Sequence, residues 1–420
     1  MPAERQRVEV WADWDQLAEP ALVGHLHAQT ARGKQIFSFE YAPSWLAAAH
    51  ARSVLDPALR FDRGAQYVAD GRDNFGVFLD SSPDRWGRVL MKRREAQRAR
   101  KQHRKERTLL ELDFLLGVFD GHRLGGLRFR FAGGAFLDDD AALASPPWTS
   151  LSELEQASLR LERAGAEDDP AYDKWLGMLM APGRSLGGAR PKASVRDAKG
   201  RLWIAKFPSE ADDRDVGAWE SVVHGLAVRA GVHTAEAMCR RFASRRHTFL
   251  SRRFDRTEAG RRLHFASAMT LLERSDGEAG ASYLELAEVI ARLGAHPERD
   301  LEELWRRIVL SVCVSNVDDH LRNHGFLLEA SGGWSLAPAY DVNPVASGQG
   351  LSLNISETDN AQDLELVREV AKHFRVKPPK VDQIVKQVVE VVRGWRKAAG
   401  AAGISAAEQS RMAAAFRVVA

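Results

Sequence analysis

Between Leu304 and Asp341 the chain passes from an apolar stripe into a short polar loop and then into a second stretch that reads as a hairpin, and this order leaves little choice of local structure. In LEELWRRIVLSVCVSN the residues Leu304, Ile308, Val309 and Val312 fall at i, i+4, i+5 and i+8, the spacing of a helix face packed on a core. That helix delivers the chain straight into NVDDHLRNHGF, a loop carrying Asp318 and Asn323. The stretch LLEASGGWSLAPAYD that follows reads as a hairpin with Asp341 at a strand end. A fold with these parts needs a helical core beside β structure.

The chain can supply such cores. It has 420 residues, 45% of them apolar, enough for two or three globular domains. Lys+Arg 60 against Asp+Glu 57 leaves a net charge of +3, so the pI near 8.8 does not by itself mark a nucleic-acid binder. Cys239 and Cys313 are too few for a disulfide framework and lack metal-ligand spacing, which fits a reducing compartment. The amino terminus MPAERQRVEVWADW has no signal-peptide core, and no run of about 18 apolar residues occurs. A soluble cytoplasmic protein without membrane contact is predicted.

Four segments are expected: an amino-terminal subdomain over 1–130, a connector over 131–183, a nucleotide-binding small lobe over 184–256 and a helical lobe over 257–420. Alternation at Val8, Val10 and Ala12, and again at Ile36, Phe37 and Phe39, predicts short strands. The stretch from Ser81 to Asp120 reads as helical throughout, with Ser82 or Asp84 as cap and Gly117 as a stop. Within it, the basic run Lys92 to Arg107 reads first as a solvated helix or loop and second as a patch for nucleic acid or an acidic partner. In the connector, Leu151, Leu154 and Leu159 are expected to face inward. ASVRD and RLWIAKF predict two strands joined at Ala198-Lys199-Gly200, with Leu202, Ile204 and Lys206 on one face and Trp203, Ala205 and Phe207 on the other. DVGAWESVVHGLAVRAG predicts a helix capped by Asp215 and stopped by Gly231. Near the end, Val381, Ile384, Val385, Val388, Val392 and Trp395 form another buried stripe.

Asp318 and Asn323 stand five apart, the D-x-x-x-x-N spacing of a kinase catalytic loop. There the Asp accepts the proton of an attacking hydroxyl, the Asn oxygen holds magnesium, and a later Asp, here Asp341, holds the metal that bridges the nucleotide phosphates. Mg2+ takes hard oxygen ligands, so the residue types suit the chemistry. Upstream lie a glycine turn at Gly187-Gly188, a strand lysine, Lys206, and a helix glutamate, Glu220, that could orient it. Each has a plainer reading: an ordinary turn, a lysine reaching solvent and an exposed helix glutamate. Asp318 and Asn323 could likewise cap a turn. His320 reads as a structural histidine holding the loop through ring hydrogen bonds. The joint order favours phosphoryl transfer.

FSFEYAPSWL, SSPDRWGR, SLGGARPK, WIAKFPS, RRFDR, SAMTLLERSDGE, NVDDHLRNHGFLL and APAYDVNP together resemble the HipA family of bacterial serine/threonine kinase toxins, through nearly the whole chain. The resemblance implies an α+β, two-lobed, protein-kinase-like fold, with a small β-rich nucleotide lobe, a larger helical lobe and an amino-terminal accessory α/β subdomain. It implies Asp318 as general base, Asn323 and Asp341 as Mg2+ ligands, and Lys206 on the ATP phosphates. Gly187, Gly188, Ala189, Arg190, Pro191 and Lys192 would form the phosphate loop. His320 and Tyr340 would line the nucleotide site, and Arg252, Arg253 and Phe254 would lie by the adenine. Ser185 matches the family's inhibitory autophosphorylated serine. Implied partners are a HipB-like helix-turn-helix antitoxin, DNA only through the antitoxin complex, and a protein substrate of which an aminoacyl-tRNA synthetase is typical. The chain departs from ordinary protein kinases in having Val342-Asn343 after Asp341 in place of Phe-Gly. Arg252 stands where some family members carry an acid. Alternatives are a kinase-shaped co-repressor and a small-molecule kinase of related fold.

Overall fold

The computed structural model describes residues 5–31, 33–48, 54–137, 146–180 and 190–419. They fall into two compact units, one of residues 1–210 with 255–266 and the other of 211–254 with 267–420. The residues expected as one small lobe, 184–256, are thus shared between the two.

The first unit is built on a five-stranded sheet of β1 (Arg5–Ala12), β2 (Ala21–Ala31), β3 (Lys34–Tyr41), β4 (Gln66–Tyr67) and β5 (Leu127–Arg130), in the order β4-β3-β2-β1-β5. Its described pairings are all antiparallel. The alternating residues Val8, Val10, Ala12, Phe37 and Phe39 are buried, whereas Ile36 is on the opposite face and exposed. Each fully buried large apolar side chain contributes about 1.5–3 kcal/mol to such a core.

The long helix expected from Ser81 onward is two helices, Arg85–Lys101 and Glu111–Leu116. Asp84 caps the first, accepting from the Gly87 N–H at 2.8 Å, and Gly117 ends the second. Between them His103 has φ +47°, and Arg104 folds back onto Glu95 at 2.6 Å while the Arg107 N–H donates to the same carboxylate. Strong local charge pairing outcompetes continued helix here. The expected connector contributes the helices Leu151–Leu161 and Tyr172–Met180. Leu151 and Leu154 are buried as expected, but Leu161 is buried in the place foreseen for Leu159, which is half-exposed.

Strands β6 (Lys192–Arg196) and β7 (Leu202–Lys206) form a hairpin with Lys192 opposite Lys206. Asp197 makes the turn: its carboxylate accepts from the backbone of Lys199 and Arg201 and from the Arg201 and Trp203 side chains, and Gly200 takes φ +77°. Burial alone would raise the Asp197 carboxyl, yet these bonds lower it to about 2.

In the second unit the helix Val216–Arg229, capped by Asp215 and stopped at Gly231 with φ +79°, packs on the hairpin of β8 (Ala237–Arg240) and β9 (Thr248–Arg252). The remainder is mostly helical. The helices Pro297–Val314 and Pro378–Arg393 pack together through the two predicted stripes, with Leu304, Ile308, Val309, Val312, Ile384, Val388 and Val392 all buried. Among the described residues no helix is long and apolar enough to cross a membrane.

Candidate active site

The helix Pro297–Val314 ends with Ser315 in the left-handed conformation, φ +49°, and the Asn316 N–H reaches back to the Ser311 carbonyl at 2.9 Å. This termination satisfies the helix's last carbonyls and turns the chain sharply into the polar loop. Beyond the loop, Gly325–Leu328 pairs antiparallel with Trp334–Leu336, with Phe326 opposite Leu336 and Leu328 opposite Trp334. Buried Asp300 accepts from the Leu336 N–H at 2.9 Å, tying the hairpin to the helix start. Arg307, bonded to Glu303 and to the Ala337 carbonyl, ties it further along.

Two adjacent aspartates on this loop have opposite surroundings. Asp318 is exposed, and among the described residues nothing hydrogen-bonds to its carboxylate. Asp319 is buried: Tyr283 donates its hydroxyl at 2.6 Å, Ser311 at 3.4 Å, and His324 Nε2 lies 3.0 Å away, within ion-pair distance though not aligned for a hydrogen bond. Burial alone would raise the Asp319 carboxyl, but the charge of His324 and the Tyr283 hydroxyl outweigh it and hold the group below its ordinary value. Burial and the adjacent carboxylate push the Tyr283 hydroxyl well above the usual phenol value.

Asn323 is buried and donates its amide N–H to the Asp318 carbonyl at 3.1 Å. A carbonyl can only accept, so this bond fixes which amide atom is nitrogen and turns Oδ1 away from it. That oxygen is buried and has no partner among the described residues. A buried amide oxygen left without a donor costs about 1–3 kcal/mol, which a cation ligated there would offset. The donor set fits magnesium.

Asp341 follows the hairpin with φ +59°, a conformation that a residue with a Cβ adopts at a cost of about 1–3 kcal/mol. Asn343 donates Nδ2 to Asp341 Oδ1 at 3.0 Å, and its own backbone N–H is held by Asn316 Oδ1 at 3.0 Å. Asn316 in turn donates to Ser311 Oγ at 3.3 Å. A continuous relay therefore runs from Tyr283 and Asp319 through Ser311, Asn316 and Asn343 to Asp341. Beside it lies a small cavity lined by Ser311, Asn316, Asp319, Asn323 and both chain neighbours of Asp341, Tyr340 and Val342, among others. Among the described residues no group of three His, Cys, Asp or Glu could hold a metal, so a cation at this site would have to draw on amide oxygens as well.

The other expected residues are placed as follows. Tyr340 donates its hydroxyl to the Arg322 carbonyl at 2.6 Å and its ring lies 5.3 Å from that of Phe254. Arg252 pairs with Glu236 at 3.5 Å, and Arg253 is buried. His320 does not hold the loop through its ring as expected, since its Nδ1 is buried without a partner among the described residues; its carbonyl does, accepting from the Asn323 N–H at 2.8 Å. His324 is the histidine whose ring lies against a loop side chain.

Lys206 ends β7 and is 9% exposed, so it does not reach into solvent, and Glu220, 3% exposed, is not a surface glutamate. Lys192, foreseen on the phosphate loop, opens β6 with its ammonium enclosed 2.7 Å from Asp84, the residue that caps the helix Arg85–Lys101. Arg190 is half-buried and Pro191 buried, its carbonyl accepting from Phe207. Ser185, Gly187, Gly188 and Ala189 lie outside the described residues. Asp319, Tyr283, Ser311, Asn316 and Asn343 were not singled out from sequence, and the one signal for them was the doubled aspartate of DDHLRN.

The family described as the HipA-like C-terminal domain matches residues 184–395, just over half of the chain. No curated protein matches it in sequence. Among solved structures, HipA of Shewanella oneidensis MR-1, in a complex of that toxin–antitoxin system with HipB and operator DNA, is similar over 95% of this chain and 94% of its own, with TM-score 0.65 and 16% identity. CtkA, a proinflammatory kinase of Helicobacter pylori, matches 52% of this chain and 95% of its own with TM-score 0.35 and 13% identity. The α+β fold expected from the sequence is the fold of HipA.

Proposed function

The chain belongs to the HipA-like family, and we propose that within it this protein is an ATP-dependent serine/threonine-protein kinase, the toxin of a HipA/HipB-like toxin–antitoxin module acting in the cytoplasm. The observation that carries the reading is the division of labour on one loop: an exposed, unengaged Asp318 carboxylate beside a buried Asn323 oxygen that lacks a partner among the described residues. The first suits a base that must meet a hydroxyl from outside. The second suits a fixed ligand for a hard cation.

In this reading Asp318 orients the substrate hydroxyl and takes up its proton as the oxygen attacks the γ-phosphorus and ADP leaves. Asn323 and Asp341 hold Mg2+, which when bound neutralises phosphate charge. Asn323 also steadies Asp318 from behind through the Asp318 carbonyl. The roles of Lys206 and of the loop from Gly187 to Lys192 on the ATP phosphates, of His320 and Tyr340 in the nucleotide site, of Arg252, Arg253 and Phe254 by the adenine and of Ser185 as a site of autophosphorylation rest on the resemblance. So do a helix-turn-helix antitoxin as partner and an aminoacyl-tRNA synthetase as the class of protein substrate. Against a DNA-contacting role for the basic run speaks its pairing within the chain: Arg93 bonds the Leu161 carbonyl, Arg100 meets Asp168, Lys101 meets Asp173, Arg104 meets Glu95 and Arg107 meets Asp113.

The test is incubation of the protein with labelled ATP, Mg2+ and lysate, followed by mass spectrometry. Phosphate on a lysate protein and on Ser185 is expected, and both should vanish in Asp318→Asn. Label on a metabolite alone would point to a small-molecule kinase, and equal labelling by wild type and variant would sink the reading.

A further inference from the structure

Asn343 occupies a position to which neither the D-x-x-x-x-N spacing nor the resemblance gives a role. Its amide nitrogen is committed to Asp341 Oδ1 at 3.0 Å. The acceptor is a carboxylate oxygen, so the nitrogen must be the atom facing it, and the amide oxygen is left on the other arm of the same planar group. That oxygen is buried and has no partner among the described residues, the same condition as Asn323 Oδ1. The backbone of Asn343 is not free to turn it elsewhere, since Asn316 Oδ1 holds its N–H at 3.0 Å and Asn316 is itself held by Ser311. The side chain is thus locked beside Asp341 with a hard, neutral oxygen unengaged.

A polar atom buried in this state calls for a partner such as an ordered water or an ion, and Asn323 and Asn343 each present one. Octahedral Mg2+ demands near-ideal geometry and keeps several waters, so neutral amide oxygens in fixed positions suit it, either on the ion or on its waters. In this chain the residue also stands where ordinary protein kinases carry the glycine of their Asp-Phe-Gly.

We propose that Asn343 Oδ1 completes the oxygen shell of the divalent cation held by Asn323 and Asp341, while Nδ2 of the same amide aims the Asp341 carboxylate. The inference rests on the kinase reading of this site. It adds a third residue to the cation site, one that serves two atoms of it at once.

Substitution separates the two arms. Asn343→Asp keeps an oxygen and removes the N–H donor; Asn343→Ala removes both. Binding of Mn2+ to the full-length protein in the presence of ADP, followed by electron paramagnetic resonance and by calorimetry, gives a readout independent of turnover. Asn343→Ala is expected to weaken Mn2+ binding about tenfold or more, the usual effect of removing such a partner, with metal-free ADP affinity unchanged. Asn343→Asp is expected to stay within a few-fold of wild type. Equal weakening in both variants would mean that only the hydrogen bond to Asp341 matters and would overturn the proposal, as would wild-type binding by Asn343→Ala. Thermal melting checks that both variants fold, and if Asn343→Ala does not, Asn343→Leu, of similar shape and without either polar atom, is read by the same criteria. Asp318→Asn serves as the separate control: it should bind Mn2+ and ADP as wild type does. Absence of Mn2+–ADP binding by the wild type itself would count against the kinase reading and the proposal together, whereas intact wild-type binding with an indifferent Asn343→Ala defeats the proposal alone.

Discussion

The charged groups of the first unit and the polar groups of the Asn316–Asn343 stretch are treated in opposite ways. In the first unit, Asp120 Oδ2 receives Arg128 at 2.6 Å and Arg262 at 3.1 Å, and Arg128 also meets Asp13. Asp255 Oδ2 receives the Gly125 N–H at 3.0 Å and Arg256 at 2.6 Å, and Lys192 is enclosed with Asp84. Most of these charges are paired with one another, which fixes the chain, although the second oxygen of Asp120 is buried without a hydrogen-bond partner among the described residues. In the second unit the loop presents one unengaged carboxylate and two buried amide oxygens without partners among the described residues. The unengaged carboxylate and the two amide oxygens fall together on the stretch to which we assign the chemistry, and there the unspent valence says more than the number of charged residues.

The largest test of this contrast is Asp318→Asn. Because the carboxylate is exposed and unengaged, transfer from labelled ATP should fall about 10²–10⁴-fold with no loss of stability in urea unfolding. A loss of several kcal/mol would place Asp318 among the structural charges instead. Asp84→Ala should do the reverse, destabilising the protein by about 3–5 kcal/mol by leaving Lys192 buried without its carboxylate. Urea unfolding measures this directly, and a change below about 1 kcal/mol would show that Asp84 is dispensable to the pair.

Asp319→Asn lies between the two classes, since Asp319 is buried and bonded yet stands next to Asp318 on the same loop. A destabilisation of about 1.5–3 kcal/mol is expected, the usual range for hydrogen bonds to a charged group. Its folded carboxyl is depressed, so its stabilisation is present above the ordinary value of 3.8 and is lost as pH falls through the folded value. The variant's stability should therefore fall less steeply with acid than that of wild type. Glu95 offers the smallest test. Hydrogen bonding from Arg104 first, and from the Arg107 N–H, lowers its carboxyl from 4.5 to about 2. Its contribution should be complete above pH 4.5 and disappear toward pH 2, and Glu95→Gln should flatten the acid limb over that window without altering transfer at neutral pH.

Much of this architecture was legible because it is periodic or local. The stripes Leu304–Val312 and Val381–Trp395, the caps Asp84 and Asp215, the stop at Gly231 and the hairpin at Gly200 each depend on neighbours within a few turns of chain. The D-x-x-x-x-N spacing carried the loop because its geometry is set by six consecutive residues. What was not legible depends on partners far away in sequence. The enclosure of the Lys192 ammonium by Asp84 could not be read from either segment, and although the basic run is solvated as expected, the pairing of Arg100 and Lys101 with Asp168 and Asp173 could not be read from it. The exchange of Leu159 for Leu161 was legible and missed, because at about 100° per residue Leu161 lies about 20° from Leu154 around the helix and Leu159 about 140° from it. The doubled aspartate, by contrast, could not say which member is buried, because that is decided by Tyr283, Ser311 and His324.

The left-handed backbone of Asp341 has a consequence for heredity. At that position a glycine would relieve the strain of a Cβ, so Asp341→Gly would remove the carboxylate proposed to hold the metal, together with the acceptor of Asn343 Nδ2, while easing the backbone. Most inactivating changes to an enzyme are purged twice, once for lost activity and once for lost structure. Here the second penalty is relaxed. In any lineage where the activity becomes a burden, this codon is a route by which the gene can fall silent while its product remains folded, abundant and able to occupy whatever partners recognise its surface.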